Sequence, residues 1–278
     1  MFLHLDDIQK AVKRHVGEHE TRSAIGNTYV LDYINRAWEM VYGTILTYRK
    51  DFFSAYYDIT LDGSIEYDLP LGVSRIYALE DITSGSTNAV DTQPMAYENR
   101  FIGLYDIGTK LKYYIRSGTL GIPSKKAGGT LRVWYPSRPR ELFTAKPATV
   151  TNTTCTFSAT PEMGTVVPED DYYNGMFLVT PNGQVREITG CVGSTSVFTV
   201  DSAWATNPTA ATTSVSLTAP IGHYQGLISL RAGILWRADL DMPIYDLETQ
   251  YTRMENPLLK LLETQQTHRS QQVTKIPR

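Results

Sequence analysis

Near both ends of the chain, apolar residues recur at steps of three and four positions, the spacing that places them on one face of an α-helix. In the first fifty residues this pattern occupies 5–16 and, more extensively, 27–48. The members of the longer stripe are Val30, Ile34, Ala37, Trp38, Val41, Ile45 and Tyr48. The sequence therefore predicts two amphipathic helices before residue 50.

The same spacing returns after residue 222 and predicts two further helices. Their apolar positions are Leu227, Leu230, Ile234 and Leu235 in the first stripe, and Ile244, Leu247, Tyr251, Met254, Leu258 and Leu261 in the second. Because proline has no backbone N–H to donate, we expect Pro257 to kink or end the last helix near Glu255. The four helices can cover one another's apolar faces, which predicts a helical bundle.

Strict alternation of apolar and polar residues replaces the helical period in the middle of the chain and predicts β-strands. Residues 57–61 and 65–69 alternate in this way on either side of Asp62-Gly63, a pair that favours a two-residue turn. The sequence therefore predicts a β-hairpin over 57–69. Residues 110–115 and 130–135 have similar patterns, and we expect them to join the hairpin in a single sheet.

The composition changes over residues 147–220, where Thr, Ser, Ala and Gly dominate and Lys is absent. Short β-type runs recur at 150–157, 177–180, 184–188, 196–200 and 214–217. Several short strands separated by Gly and Pro predict an independent all-β module. We expect Cys155 and Cys191 to occupy two of its strands as small, reduced, buried residues.

Together these patterns predict an α+β protein in which N- and C-terminal helices form a bundle, with a central antiparallel β-sheet and an inserted small all-β domain. The predicted core comprises 1–146 and 221–264, and the inserted module comprises 147–220. Residues 265–278 have no apolar period and no acidic residue. We therefore expect an extended C-terminal tail that cannot fold alone.

Charge is unevenly distributed, although the formal net charge of the chain is only −3. Residues 110–146 contain nine Lys or Arg residues against one acid, Glu141, whereas residues 147–220 carry a net charge of −5. A mildly acidic total argues against a protein that coats nucleic acid with its whole surface. The basic segment fits either the solvated face of a sheet or contact with an acidic partner or passing DNA.

Few residues are arranged for chemistry. The chain has no G-x-S-x-G and no H-E-x-x-H motif, and its two cysteines match no zinc spacing. His15 and His19 lie four residues apart, but Gly17 between them disfavours the continuous helix that a shared metal site would need. We therefore predict no enzymatic activity, cofactor or metal. With no apolar run near the roughly 20 residues of a membrane span, we also expect a soluble protein made in the cytoplasm.

Several segments resemble, in order and spacing, the head-to-tail adaptor of short-tailed bacteriophages, the tail tubular protein A type. The resemblance covers about two-thirds of the chain and rests on YVLDYINRAWEMVYG, FFSAYYDITLDGSIEYDLP with VSRIYAL, KLKYYI, TLRVWYPSRPREL, and the closing helices over 223–262. The segment 170–217 is similar to a small β module of phage structural proteins through GQVREI at 183–188 and VDSAW at 200–204. The glycine-rich stretch usual before the Gln is shortened here to Pro181-Asn182-Gly183.

The resemblance implies a virion protein that forms a ring, normally of twelve copies, beneath the portal. The ring would join the capsid to the tail, with a tail nozzle or fibres below it and genomic double-stranded DNA passing through its centre. In that family the C-terminal end engages the portal. Carried over to this chain, the portal-binding residues would be His268, Arg269, Gln271, Val273, Lys275, Ile276 and Arg278.

Two other functions are compatible with parts of the sequence. The Thr- and Ser-rich module, together with 18 Tyr and 4 Trp residues, also suits a tail spike or another carbohydrate-binding tail component. The helices at both ends argue against that function, because such receptor binders are usually β throughout. A hydrolase that uses paired carboxylates is disfavoured because the chain has only five His residues and no nucleophile motif.

Overall fold

The computed structural model describes residues 2–17, 27–49, 51–69, 73, 75–83, 88–89, 92–99, 111–123, 127–136, 139–157, 164, 166–168, 170 and 172–273. These residues form two compact units. One unit comprises Met1–Thr44 and Pro139–Arg278, and the other comprises Ile45–Arg138. No helix among the described residues has the length and apolar composition needed to cross a membrane.

The four helices predicted from the apolar spacing are confirmed. They are α1 (Leu5–His15), α2 (Asn27–Tyr48), α3 (Gly226–Asp239) and α4 (Tyr245–Val273). At the start of α1, the His4 side chain accepts a hydrogen bond from the backbone N–H of Asp6. Gly17 follows the last turn of α1 with a φ of 80°, a conformation that glycine adopts without strain.

The described strands are short and numerous. They are β1 (Ser54–Asp62), β2 (Glu66–Asp68), β3 (Ala78–Asp81), β4 (Asn88–Ala89), β5 (Thr92–Pro94), β6 (Leu111–Arg116), β7 (Thr119–Gly121), β8 (Ala127–Pro136), β9 (Thr144–Ala145), β10 (Pro147–Val150), β11 (Thr154–Phe157), β12 (Phe177–Val179), β13 (Val185–Val192), β14 (Val197–Val200) and β15 (Val215–Thr218). Two four-stranded sheets have the orders β1-β8-β3-β4 and β2-β7-β6-β5. A curled seven-stranded sheet has the order β10-β11-β14-β13-β12-β15-β9.

The predicted fold class is wrong. In the described part of the chain, three sheets dominate the architecture, and the helices do not form a bundle around one central sheet. Part of the reason is that strands as well as helices cover the apolar faces of the helices. The backbone N–H of Leu5 in α1 donates to the hydroxyl of Ser216 in β15 at 3.1 Å, and Phe2 lies 4.6 Å from Phe177 of β12, centroid to centroid. Apolar spacing predicts that a face is buried, but not which element buries it.

The predicted hairpin over 57–69 is also wrong. β1 pairs with β8 in one sheet, and β2 pairs with β7 in another, so the two segments belong to different sheets. Asp62 and Ser64 do make a local turn, in which the Asp62 carboxylate accepts a hydrogen bond from the Ser64 N–H at 2.8 Å. The longer pairing with β8 places Ile59 opposite Leu131, and both side chains are buried.

The unit Ile45–Arg138 has its core between the inner faces of its two sheets. The buried members are Ile59, Leu61, Leu69, Val73, Ile76, Leu79, Tyr113, Leu120, Ile122, Leu131 and Val133. Between the two central strands of the second sheet, Gly121 of β7 pairs with Tyr114 of β6, and the tyrosine ring occupies the space that a Cβ at position 121 would need. Glycine at 121 therefore lets an aromatic ring cover the sheet.

The seven-stranded sheet encloses a second core, which is rich in aromatic side chains. Phe143 contacts Phe157, Tyr173 and Phe198, with ring centroids 5.6 to 6.0 Å apart. Cys155 lies in β11 and Cys191 in β13; both are buried and neither forms a disulfide bond, as expected. Burial raises the pKa of the Cys155 thiol to about 11.

Of the two outcomes expected at Pro257, a kink or an end of the helix, the structure excludes the end. α4 continues through this proline to Val273 instead of ending near Glu255. Leu258 and Leu262, which follow the proline, are both buried. Their packing supports the helix beyond the position where the proline removes a backbone hydrogen bond.

Candidate interaction surfaces

The residues that the resemblance suggested for portal binding lie at the C-terminal end of the chain. His268, Arg269, Gln271 and Val273 belong to the last turns of α4, so this part of the expected extended tail is helical. Lys275, Ile276 and Arg278 lie outside the described residues. Their binding role stays a prediction.

The residues that the structure describes contain no candidate metal-binding cluster. None of these residues forms a group of three or more His, Cys, Asp or Glu side chains that could hold a metal ion. Of the histidine pair considered above, His15 ends α1, whereas His19 lies outside the described residues.

The basic segment over 110–146 is partly used to hold the fold together. Arg132 donates to both carboxylate oxygens of Asp58, each at 2.8 Å. Arg140 is buried, donates to the backbone carbonyl of Tyr172 and lies over the Tyr172 ring at 4.9 Å from its centroid. Both cations therefore make contacts within the protein that help to hold the fold together.

An aromatic contact joins α2 to α3. The ring of Tyr33 stacks on Trp236, which is fully buried. The Tyr33 hydroxyl donates to the carboxylate of Asp239 at 2.7 Å and lies 2.9 Å from the Tyr29 hydroxyl. Burial first, and then these two hydrogen bonds, raise the pKa of Tyr33 above its ordinary value. The carboxyl end of α3 is thereby fixed against the start of α2.

Arg237 fixes the turn between α3 and α4 through three acceptors. Its guanidinium donates to the backbone carbonyl of His15 at 2.6 Å, to that of Pro243 at 2.9 Å, and to the carboxylate of Asp246 at 2.7 Å. Burial, followed by the charges of Arg237 and Arg14, lowers the pKa of His15. One side chain therefore ties together the end of α1, the turn and the first turn of α4.

The turn that Arg237 holds is apolar and exposed. Leu240 is 50% exposed, Met242 37% and Tyr245 80%. Tyr29, which is 47% exposed, lies at the same end of α3 through its hydrogen bond to Tyr33. We call Tyr29, Leu240, Met242 and Tyr245 the apolar turn surface. Large apolar side chains held on a fixed backbone are a common feature of protein-binding sites.

A groove of about 700 Å³ runs along α2. Its lining combines the exposed charges of α2 with the segment that follows Pro139. Trp38 donates to the carbonyl of Arg140 at 3.1 Å, and the amide oxygen of Asn35 accepts from the N–H of Leu142 at 2.9 Å. These hydrogen bonds therefore hold the segment after Pro139 against α2, and these two elements form the sides of the groove. The charged residues that line it are Asp32, Arg36, Glu39, Arg140 and Glu141.

Over residues 245–264, the part of α4 whose side chains the structure describes, only a narrow stripe is buried. Its buried apolar residues are Leu247, Tyr251, Leu258 and Leu262, and the side chains between them are mostly exposed, including Leu261 at 42%. Much of the described surface of α4 is therefore open to solvent and free to meet another chain.

Sequence reasoning did not identify the apolar turn surface or the hydrogen bonds of Arg237 that hold its backbone. The signal was the run Leu240-Asp241-Met242-Pro243-Ile244-Tyr245, in which the turn between α3 and α4 contains three large apolar residues and the first residue of α4 is a fourth. Turns of this kind are usually polar, so such a run indicates either burial or a contact site. Only the structure distinguishes these two possibilities, because exposure depends on how the turn is oriented.

No protein-family model matches this chain, and no curated protein is significantly similar to it.

Proposed function

We propose that this chain is a non-enzymatic structural protein of a tailed-phage virion. In this proposal it forms a head-to-tail adaptor ring beneath the portal, joins the capsid to the tail, and surrounds the passage taken by genomic DNA. The virion setting, the portal and the tail protein below it come from the resemblance of the segments quoted above.

The observation that carries the proposal is the apolar turn surface. Leu240, Met242 and Tyr245 are exposed although the backbone between them is fixed by Arg237. A fixed surface loses little conformational entropy on binding. The free energy gained by burying its apolar area therefore favours association and is not offset by the cost of ordering the turn. Such a surface suits a protein that works by repeated contacts between copies.

The surroundings of this surface favour an asymmetric contact. Asp241 and Glu248 are exposed beside it and leave it with an acidic rim. Two such rims repel each other when the same patches meet about a two-fold axis. A contact between two different patches avoids this repulsion, and repeating it generates a closed ring when the rotation between copies closes.

Native mass spectrometry of the purified protein, alone and with the portal protein of the same virion, tests the proposal. We expect a ring, or a monomer that becomes a ring on the portal. A trimer would instead support a tail spike, and a monomer under both conditions would contradict the adaptor.

A matched pair of variants tests the surface that carries the proposal. Changing both Leu240→Ser and Tyr245→Ser should leave the fold intact, because exposed substitutions rarely change stability by more than about 0.5 kcal/mol, and should abolish the ring. Val192→Ser is the control, since Val192 is 47% exposed but lies at the end of β13. Rings that persist in the double variant, or that are lost in the control, would exclude this surface as the contact.

Removal of residues 265–278 tests the assignment of the portal-binding segment separately. The shortened protein should fold and form rings but fail to attach to the portal, as measured by co-sedimentation. Attachment that survives the truncation would make the assignment wrong and leave the ring proposal unaffected.

A further inference from the structure

The outer face of the sheet β1-β8-β3 carries three rows of matched side chains. Buried residues such as Ile59 and Val133 point to the core, so the alternate residues point to solvent. The register places Tyr56 opposite Trp134, Asp58 opposite Arg132, and Thr60 opposite Thr130. β3 extends the first row with Ala78 and the second with Glu80. The face therefore has an aromatic row, a charged row and a hydroxyl row.

The aromatic row is exposed and ordered. Tyr56 is 53% exposed, and its ring lies 5.2 Å from that of Trp134, with the planes inclined by 58°. The Nε1 atom of Trp134 is buried and has no hydrogen-bond partner among the described residues. These two rings offer an apolar surface to solvent.

The charged row holds the aromatic row in place. The guanidinium carbon of Arg132 lies 4.0 Å from the centroid of the Tyr56 ring, while two of its N–H groups are bonded to Asp58. An arginine has five N–H donors, so three remain for other acceptors. The carboxylates of Asp58 and Glu80 can accept further hydrogen bonds. Donors and acceptors therefore alternate beside the exposed ring, and their positions are fixed before any ligand arrives.

We propose that this outer face, built on Tyr56, Trp134, Asp58 and Arg132, binds a neutral carbohydrate chain. The C–H face of one sugar ring stacks on the face of Tyr56 that Arg132 does not cover, and its hydroxyl groups bond to the Arg132 donors and the Asp58 acceptors beside the ring. A hydroxyl both donates and accepts, which is what a row of alternating donors and acceptors requires. Successive rows are separated by about 7 Å along the strands. This spacing suits a sugar ring that lies over the aromatic row and has its hydroxyl groups over the charged row.

Shape and charge favour this occupant over the alternatives. The outer face of the sheet is a surface and not a cavity, so it suits an extended chain better than a small molecule, which binds in concave sites. Two carboxylates flank the single guanidinium in the charged row, and this excess of negative charge disfavours nucleic-acid phosphate and acidic sugars. A protein partner is the competing occupant, because Tyr, Trp and Arg also dominate protein interfaces.

Binding to the full-length protein, measured by isothermal titration calorimetry, tests the proposal. The probes are the hexasaccharides of N-acetylglucosamine and of glucose, which are neutral, and that of galacturonic acid, which is anionic. We expect a neutral hexasaccharide to bind and the anionic one not to bind. Tyr56→Ala should weaken binding about tenfold or more, because it removes a stacking ring. Tyr56→Phe should retain most of the affinity.

Tyr57→Ala is the matched control. Tyr57 is the next residue of β1 and is 43% exposed, but it points to the opposite side of the sheet. The proposal is overturned if neither neutral hexasaccharide binds, or if Tyr57→Ala weakens binding as much as Tyr56→Ala does. A Tyr56→Ala variant that loses the ring in native mass spectrometry would assign this face to a protein contact instead. Because ring formation is measured separately, failure of this inference leaves the adaptor proposal intact.

Discussion

The rings of Tyr33 and Trp236 lie parallel to within 9°, with their centroids 5.6 Å apart. This stack joins α2, from the first fifty residues, to α3, nearly two hundred residues later. It also lies directly behind the apolar turn surface, because Asp239 at the end of α3 accepts the hydrogen bond from Tyr33. The position of the surface therefore depends on this buried aromatic pair as well as on the hydrogen bonds of Arg237.

Trp236→Ala should be strongly destabilising. Trp236 is fully buried, so the substitution removes its apolar area and leaves a cavity, at a cost of about 3 to 5 kcal/mol in the free energy of unfolding. Tyr33→Phe keeps the ring and removes only the hydroxyl, so we expect a loss of about 1 kcal/mol. Urea denaturation measures both values. Equal costs for the two variants would show that the hydrogen bonds, and not the ring stack, hold this joint.

Two helical glycines should respond in opposite directions to substitution by alanine. A Cβ at Gly43 of α2 would meet nothing within 4 Å, so Gly43→Ala should stabilise the protein by about 0.5 to 1 kcal/mol through helix propensity. A Cβ at Gly233 of α3 would lie 2.8 Å from the Cβ of His15 and should push α1 away. Gly233→Ala should therefore lower the melting temperature, as measured by circular dichroism.

The described residues leave open space where a Cβ at position 43 would stand, so packing within one copy of the chain does not require glycine there. Stabilisation by Gly233→Ala would contradict the packing of α1 against α3. If Gly43→Ala instead destabilised the protein, the added methyl group would have to clash with a neighbour from outside a single copy of the chain.

The buried thiol of Cys155 should make stability fall at high pH. Burial raises its pKa from 9.0 to about 11 in the folded state, so the unfolded chain loses this proton first as the pH rises. The stabilisation that the buried, protonated thiol gives to the folded state is complete below pH 9 and is lost as the pH rises through about 11. Its size is about 2 to 3 kcal/mol.

Guanidinium denaturation at pH 8 and at pH 10.5 measures this loss, and Cys155→Ala is the control that lacks the titrating group. We expect the fall in stability between the two pH values to be smaller in the variant than in the natural chain. An equal fall in both proteins, or rapid labelling of Cys155 in the folded state at pH 8, would contradict a buried, protonated thiol.

The positions of the helices could be predicted from the chain alone, because apolar spacing and terminal residues are local properties. The Leu5 to Val16 stripe and Gly17 predicted α1, and the stripe after Asn27 predicted α2. The strand positions were predictable in part: the run over 150–157 is divided between β10 and β11, and the run over 184–188 is extended to Val192 in β13, which thereby includes Cys191. The candidate surfaces were not predictable, because the apolar residues of the turn after Asp239 could equally have been buried.

What the sequence determined by itself was which segments are helical or extended and which of their faces are apolar, because these properties follow from neighbouring residues. Only the tertiary structure decided the partners of those faces. The tight Asp62-Gly63 turn did not make β1 and β2 a hairpin, since eight paired residues along β8 bury more apolar surface than the three residues of β2 could. Likewise, the exposure of Tyr245 and the alignment of Tyr56 with Trp134 depend on contacts between segments far apart in the chain, which local patterns do not encode.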